Sequence, residues 1–324
     1  MIRELKETHS YPTVMLLLSV LTFIFGTAFA IFGELLLPFA TASAAALFFF
    51  EKPNRRIFSF VIPVITLGIS FILNGFYAVV CIEYVILAFL IALLYRRGIS
   101  KAECFTYLSL ITAVFMVFAL YLGAGKATGS FTFESVSEFY SDIYARLRTT
   151  LVDFLSTRQI VLTDGTVKNY MSVEEAGYYF DSFAKLLPAL FGAAAMILSG
   201  LAIKLFSGMI FKFSKNGMLK TFAHFMPSTI VAYTYIAVAI IAIFTGIDGG
   251  WLAVAIINAS EIMMLVYAFI GFNYLKTLGI ISQRKTTVYM IVVASLLLMG
   301  GTALQILSIV GVWFVITGAK MMKE

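Results

Sequence analysis

Three ionisable residues, Glu83, Lys204 and Glu261, lie inside apolar runs that are long enough to cross a lipid bilayer. Placing an aspartate, lysine or arginine at the centre of a membrane-spanning helix costs at least about 2.5–3.5 kcal/mol, so charged groups are rare at this depth. A buried carboxyl group can bind a cation, a proton or an amine, or it can hydrogen bond to a neighbouring helix as a neutral acid. The role of each glutamate depends on its depth and its neighbours.

The helical rise places the two glutamates at a similar depth and the lysine elsewhere. At 1.5 Å per residue, Glu83 lies about 12 Å and Glu261 about 15 Å from the outer end of its span, whereas Lys204 lies about 27 Å from that end. Lys204 is therefore expected to extend to the cytoplasmic surface, and an ion pair between it and either glutamate is not expected.

Asn258 lies one helical turn before Glu261, on the same helical face, and adds a second polar group. The sequence therefore predicts a ligand or proton site that contains Glu261, Asn258 and Glu83. Hydrogen bonding between helices, worth about 0.6–2 kcal/mol per bond, is the alternative role of these residues.

The composition assigns the chain to a membrane. Of its 324 residues, 61% are hydrophobic and only 12% are charged, and the mean hydropathy is +0.98, whereas about 25% of residues in soluble domains are charged. Cys81 and Cys104 form no disulfide framework or metal-ligand cluster, and His9 and His224 belong to no HExxH or nucleophile motif. We therefore predict no enzymatic activity, no cofactor and no metal site.

Ten apolar runs have lengths compatible with membrane spans. They are Tyr11–Phe32, Leu35–Phe50, Ile57–Asn74, Phe76–Tyr95, Cys104–Gly123, Leu186–Phe211, Ser228–Gly246, Trp251–Leu275, Val288–Met299 and Thr302–Thr317. Only Gly300–Gly301 separates the last two runs, so a single tilted helix is the alternative there. The predicted fold is an all-α membrane protein with a bundle of about ten transmembrane helices. Its two halves, residues 1–123 and 186–324, flank residues 124–185.

Lysine and arginine residues occupy every second connection between these runs, and the short connections between them contain neither residue. Because basic residues accumulate in cytoplasmic loops, this alternation supports ten spans with both termini in the cytoplasm. The net charge of +6 is then an orientation signal and indicates no nucleic-acid partner. The sequence Thr27–Ala30 resembles a signal-peptide cleavage site, but Glu4 and Glu7 favour an uncleaved first span.

Residues 124–185 form a polar segment between the fifth and sixth spans, and the charge pattern predicts that it lies outside the cell. Ser135-x-x-Glu138 and Ser172-x-x-Glu175 fit the capping box that begins a helix, and Asp164–Gly165 between them fits a tight turn. The second helix is expected to continue without a break into the sixth span, past Pro188. The segment is therefore predicted to be an extracytoplasmic helical hairpin.

In the first helix of this hairpin, apolar residues recur at three- and four-residue steps and therefore form one apolar face. Its residues are Phe139, Ile143, Leu147, Leu151 and Phe154. This face is expected either to pack on the partner helix or the lipid headgroups, or to form a lid over an outward-facing cavity.

Small residues four positions apart occur in Ala40–Ala46 and Gly192–Gly200. Such residues let helix backbones approach closely. They predict helix packing within the chain or, alternatively, docking to a partner membrane protein.

Three stretches, in order along the chain, resemble the YybS-like family of bacterial polytopic membrane proteins. They are LLPALFGAAAMILSGLAIKL (Leu186–Leu205), which follows the glutamate-rich capped helix, IMMLVYAFIGFNYL (Ile262–Leu275) and GVWFVITGAKMMK (Gly311–Lys323). The resemblance covers nearly the whole chain in order and layout. It implies a multi-pass protein of the bacterial plasma membrane.

That family is distantly similar to the substrate-binding components of energy-coupling-factor vitamin transporters and to the rod-shape protein MreD. No binding or catalytic residue is established for it, so the resemblance implies none for this chain. The number of predicted spans and the outer hairpin both depart from a vitamin-binding component. The expected function is transport-related binding or passage of a small molecule, and a non-transporting scaffold or regulator of cell-envelope assembly is the alternative.

Overall fold

The computed structural model describes residues 10–51, 56–99, 101–161, 163, 166–213, 227–246, 249–281 and 284–321, and these residues are mainly helical. The helices are α1 (Tyr11–Phe32), α2 (Leu37–Phe50), α3 (Arg56–Asn74), α4 (Ile82–Arg96), α5 (Lys101–Thr128), α6 (Phe133–Thr157), α7 (Val173–Lys185), α8 (Leu187–Phe213), α9 (Thr229–Thr245), α10 (Gly250–Ile281), α11 (Lys285–Met299) and α12 (Gly301–Met321). Two 3-10 turns, Gly33–Leu36 and Gly75–Cys81, precede α2 and α4.

Within the described residues, six helical stretches are long and apolar enough to cross a membrane. They are Tyr11–Phe50, Ala78–Arg96, Glu103–Thr128, Leu187–Phe213, Gly250–Leu278 and Gly301–Gly318. Shorter apolar helices cover Phe60–Leu73, Thr229–Thr245 and Thr286–Met299. The predicted class of an all-α, multi-pass membrane protein is confirmed.

The last two predicted runs are separate helices. Helix α11 ends at Met299, and Gly300 follows with φ +50°, a left-handed conformation that glycine adopts without steric cost. Helix α12 begins at Gly301. The single tilted helix that the sequence left open is not formed.

The chain divides into two compact units. Unit 1 consists of residues 1–147 and 194–222, and unit 2 consists of residues 148–193 and 223–324. Each unit therefore combines segments that are distant in sequence.

Helix α2 lies at the centre of unit 1, where it contacts α1, α3 and α4. Every residue of Ala40–Ala46 is 0% exposed, so this small-residue stretch packs within the chain, which is one of its two predicted uses. At the end of α2, the Arg96 guanidinium donates hydrogen bonds to the carbonyl oxygens of Phe48 and Phe49. These carbonyls lie in the last turn of the helix, where no intrahelical donor is available.

The backbones of α10 and α12 touch in unit 2 because glycines face each other at the crossing. A Cβ atom on Gly271 would overlap the carbonyl oxygen of Leu307, and a Cβ atom on Gly311 would overlap that of Tyr267. Beside this crossing, the rings of Tyr235 and Tyr267 stack with centroids 4.9 Å apart. Gly271 and Gly311 were not among the small residues predicted to pack, although both lie inside apolar helices.

Residues 124–185 contain α6, two short strands and α7. Strand β1 (Gln159–Val161) pairs antiparallel with β2 (Val167–Asn169), so a β-ribbon connects the two helices. The predicted turn at Asp164–Gly165 lies outside the described residues. Arg148 of α6 binds Asp181 of α7, with Nε–Oδ1 2.8 Å and Nη2–Oδ2 3.2 Å.

One of the two predicted capping boxes is confirmed. In α7 the Ser172 hydroxyl accepts from the Glu175 backbone N–H at 3.1 Å, and the Glu175 carboxylate accepts from the Ser172 N–H at 2.9 Å. This second bond holds the pKa of Glu175 below its ordinary value. The prediction for Ser135 was wrong, because α6 begins at Phe133 and the Thr132 hydroxyl accepts from the Ser135 N–H at 3.3 Å.

The predicted continuous helix through Pro188 was also wrong. Helix α7 ends at Lys185, Leu186 forms a turn and α8 begins at Leu187. Proline has no N–H, and its ring clashes with the carbonyl four residues earlier, so it is tolerated in the first turn of a helix but breaks a longer one. The chain therefore begins a new helix at Leu187, with Pro188 in its first turn.

The predicted apolar face of α6 is partly solvent- or lipid-exposed. The exposed fractions of Leu147, Leu151 and Phe154 are 51%, 42% and 50%. Val152 and Ser156, on the other side of the helix, are buried. The face therefore does not pack on α7 at these three residues.

We expect that Gly271→Ala and Gly311→Ala will each destabilise unit 2. The added methyl group forces the two backbones apart, and overpacking of this kind costs about 1–3 kcal/mol. Thermal unfolding in detergent, followed by tryptophan fluorescence, measures the effect as a lower midpoint. Gly208→Ala is the matched control, because a Cβ atom there meets nothing within 4 Å. Equal midpoints of thermal unfolding for all three variants would contradict the close contact between α10 and α12.

Candidate functional site

Glu83 lies in the first turn of α4, directly after the 3-10 turn Gly75–Cys81. Its side chain is 0% exposed, and neither carboxylate oxygen has a hydrogen-bond partner among the described residues. The free N–H groups of a helix N-terminus favour a nearby negative charge, typically by 0.3–1 kcal/mol at exposed sites. That contribution is small against the cost of burying a carboxylate without a partner. Glu83 therefore retains its full capacity to bind a cation or a proton.

The hydroxyl groups next to Glu83 already have hydrogen-bond partners. The Tyr84 hydroxyl hydrogen bonds to the Thr66 hydroxyl, Thr66 donates to the carbonyl of Pro63 at 2.8 Å, and Ser70 donates to the carbonyl of Thr66 at 2.8 Å. The bond between Tyr84 and Thr66 connects α4 to α3, and the other two bonds lie within α3. None of these bonds involves the Glu83 carboxyl.

Unit 1 contains a second glutamate with a buried carboxylate oxygen, Glu34. It belongs to the 3-10 turn Gly33–Leu36, and its Oε2 atom is buried without a hydrogen-bond partner among the described residues. Sequence reasoning placed Glu34 in a connection outside the spans and missed it. The available signal was that this very short connection between two apolar runs contains an ionisable residue.

No described basic residue pairs with these two carboxyl groups. The ion pairs in the described part of the chain join Asp142 to Arg146 and Arg148 to Asp181. The described residues also contain no group of three or more histidine, cysteine, aspartate or glutamate side chains that could hold a metal ion.

Asn258, the second predicted site residue, bridges the break between α7 and α8. Its Oδ1 atom accepts from the Ala189 backbone N–H at 2.8 Å, and its Nδ2 atom donates to the Lys185 carbonyl at 2.8 Å. Nδ2 also donates to the carbonyl of Val254 at 2.8 Å in its own helix. Asn258 is 6% exposed, and these bonds occupy its amide. Its role in the structure is to hydrogen bond to backbone groups that the break leaves without helical partners.

Glu261 lies on α10 one turn after Asn258 and is half-buried, and no hydrogen bond joins it to another described residue. Asn258 and Glu261 belong to unit 2, whereas Glu83 and Glu34 belong to unit 1. The predicted site residues are therefore divided between two compact units. Lys204 is exposed, and its position at the cytoplasmic surface stays a prediction.

Unit 1 also contains a small cavity between α4, α5 and α8. Its volume is about 10 Å³, and its lining includes Tyr95, Cys104 and Phe206. A cavity of this size holds about one water molecule. It is too small for a vitamin, and Glu83 does not line it.

Comparison of the chain with protein-family models, with curated proteins and with solved structures finds no match. The function is therefore argued from the residues and their geometry.

We expect that Asn258→Leu will destabilise the junction of α7 and α8. The substitution leaves the Ala189 N–H and the Lys185 carbonyl without this partner, and an unpaired buried polar group costs about 1–3 kcal/mol. Hydrogen–deuterium exchange of residues 183–191 should become faster. Asn273→Leu, the same substitution on the same helix, is the control, because no hydrogen bond joins the Asn273 side chain to another described residue. Unchanged hydrogen–deuterium exchange in Asn258→Leu would show that the hydrogen bonds of Asn258 are dispensable.

Proposed function

We propose that this chain is a ten-span protein of the bacterial plasma membrane that binds or passes a small solute or ion. Helices α1–α5 and α8–α12 coincide in order with the ten predicted apolar runs, which supports this number of spans. The alternation of basic and non-basic connections supports a cytoplasmic location for both termini. The YybS-like resemblance, which implies the same membrane, is part of the proposal.

The observation that carries the transport-related function is the burial of Glu83. Burying a carboxyl group without a partner destabilises a protein. Carboxyl groups at membrane depth are typical of ion and substrate pathways and of proton relays in membrane proteins. Glu83 is 0% exposed and has no hydrogen-bond partner among the described residues. It therefore takes the place of Glu261 as the anchor of the site, and Asn258 contributes to structure.

The alternative function, a scaffold or regulator of envelope assembly, is favoured by the exposed face of α6. Leu147, Leu151 and Phe154 are each at least 42% exposed, and exposed apolar faces are typical of contacts with a protein partner or a lipid surface. In the proposed topology this face belongs to the extracytoplasmic hairpin, formed by α6, the β-ribbon and α7. A scaffold would use it to hold an envelope protein.

We expect α6 to lie outside the cell. Cys81 and Cys104 are buried, so a cysteine introduced at an exposed position is the thiol that reacts with a labelling reagent. Glu134→Cys at the start of α6 should react with a membrane-impermeant maleimide on intact cells, and Arg284→Cys before α11 should react only after permeabilisation. The reverse pattern would overturn the orientation.

We expect that Glu83→Gln will abolish the binding of a co-purifying solute. The substitution keeps the size of the side chain and removes its negative charge. Native mass spectrometry of the full chain in detergent should detect an adduct on the wild type and lose it in Glu83→Gln. Glu138→Gln, at an exposed position on α6, should retain the adduct. A wild type without an adduct, or the same adduct in Glu83→Gln, would contradict the binding of a co-purifying solute at Glu83.

A further inference from the structure

Helix α7 belongs to unit 2, and one of its faces points to α6. The Arg148 side chain of α6 binds the Asp181 carboxylate at 2.8 Å. Its Nη2 atom also lies 2.7 Å from the position that a Cβ atom on Gly177 would occupy. Gly177 and Asp181 are four residues apart and therefore lie on the same side of the helix. Together they mark the face of α7 that α6 covers.

The opposite face of α7 is aromatic and exposed. Tyr179 and Phe183 follow Gly177 and Asp181 by two positions each, which is a rotation of about 200° around the helix axis. Their exposed fractions are 60% and 56%. Two large aromatic side chains, one turn apart, therefore project away from α6.

This aromatic face continues into a helix that is long and apolar enough to cross a membrane. Only the turn residue Leu186 separates α7 from α8, which begins at Leu187. Leu187 and Leu190 are exposed, so exposed apolar side chains recur at steps of three or four residues from Tyr179 to Leu190. Exposed apolar side chains of a membrane-spanning helix contact lipid. The aromatic face is thus continuous with a lipid-contacting surface.

We propose that α7 lies along the surface of the bilayer that α8 enters, with Tyr179 and Phe183 inserted among the lipid headgroups. Aromatic side chains are enriched at the membrane–water interface, and helices that lie in this interface turn such side chains toward the lipid. The polar groups of the opposite face, where Arg148 binds Asp181, then point away from the lipid. The inference goes beyond the proposed function, because it involves neither Glu83 nor solute binding.

The break at Leu186 is what allows Tyr179 to reach the headgroups. Measured along a straight helix, Phe183 lies about 6 Å and Tyr179 about 12 Å from Leu187. The headgroup region is about 5–8 Å thick on each side of a bilayer, so an upright α7 would place Tyr179 in water. An α7 that is inclined at the break brings Tyr179 back to the headgroups, and Asn258 bonds to backbone groups on both sides of this break.

Spin labels on single cysteines test the position of α7 in the full chain, reconstituted in liposomes of phosphatidylcholine and phosphatidylglycerol. Molecular oxygen concentrates in lipid, and nickel ethylenediaminediacetate, added on both sides of the membrane, stays in water. The ratio of their effects on the relaxation of the spin label therefore reports whether lipid or water surrounds it. We expect a high ratio for Tyr179→Cys and Phe183→Cys, and a low ratio for Glu174→Cys at an exposed position in the first turn of α7. The wild type gives the background signal, because its two cysteines are buried.

Hydroxyl-radical footprinting of the wild type is a second measurement, and it needs no variant. Tyr170, directly after β2, and Tyr179 have nearly equal exposed fractions of 56% and 60%. Radicals formed in water would therefore oxidise both side chains at similar rates if no membrane covered either. We expect slower oxidation of Tyr179 than of Tyr170 in the same liposomes, measured by mass spectrometry of peptides.

The proposal is overturned by a low ratio at Tyr179→Cys, or by equal oxidation rates of Tyr170 and Tyr179. A high ratio at Phe183→Cys with a low one at Tyr179→Cys is the result for an upright α7 and also overturns it. In these cases the aromatic face is open to water, as the binding surface of a protein partner would be. Neither measurement depends on a bound solute, so the result is independent of the test of Glu83.

Discussion

The backbone amides and carbonyls at a helix end or break have no partner within the helix, so those that the fold buries need another hydrogen-bond partner. Two distant side chains provide such partners in this protein. Arg96 donates to the last carbonyls of α2, and Asn258 bonds to both sides of the break between α7 and α8. These bonds join α4 to the end of α2 in unit 1, and α10 to the junction of α7 and α8 in unit 2.

The sequence predicted the local features that depend on neighbouring residues. Apolar length identified the helices, and the capping box at Ser172 was correct because both of its partners lie within one turn. The break at Leu186 was missed, since its stabilising partner, Asn258, is distant in sequence. The capping of α6 was misassigned because Thr132 and Ser135 are both plausible caps, and the β-ribbon was missed because its strands are only three residues long.

The candidate site was predicted in part. The depth of Glu83 was enough to mark it, because an intramembrane carboxyl is unusual wherever it occurs. Asn258 was also marked, but a sequence cannot show whether an amide is occupied by backbone groups of another helix. Glu34 was missed because its burial depends on the packing of the 3-10 turn and not on local hydropathy. The search for polar residues within apolar runs therefore overlooks acids that a fold buries at the junction of two runs.

The discontinuity of unit 1 has a consequence for biosynthesis. Its core helix, α2, is made early, but part of the same unit begins only at Ala194, after residues 124–185. The ribosome must therefore complete that whole segment before unit 1 can close. Until then the surface that receives α8, which includes Phe49 and Tyr95 beside Phe206, stays open to lipid or to the insertion machinery. The assembly of unit 1 therefore cannot finish until α8 has been made, long after α1 to α5.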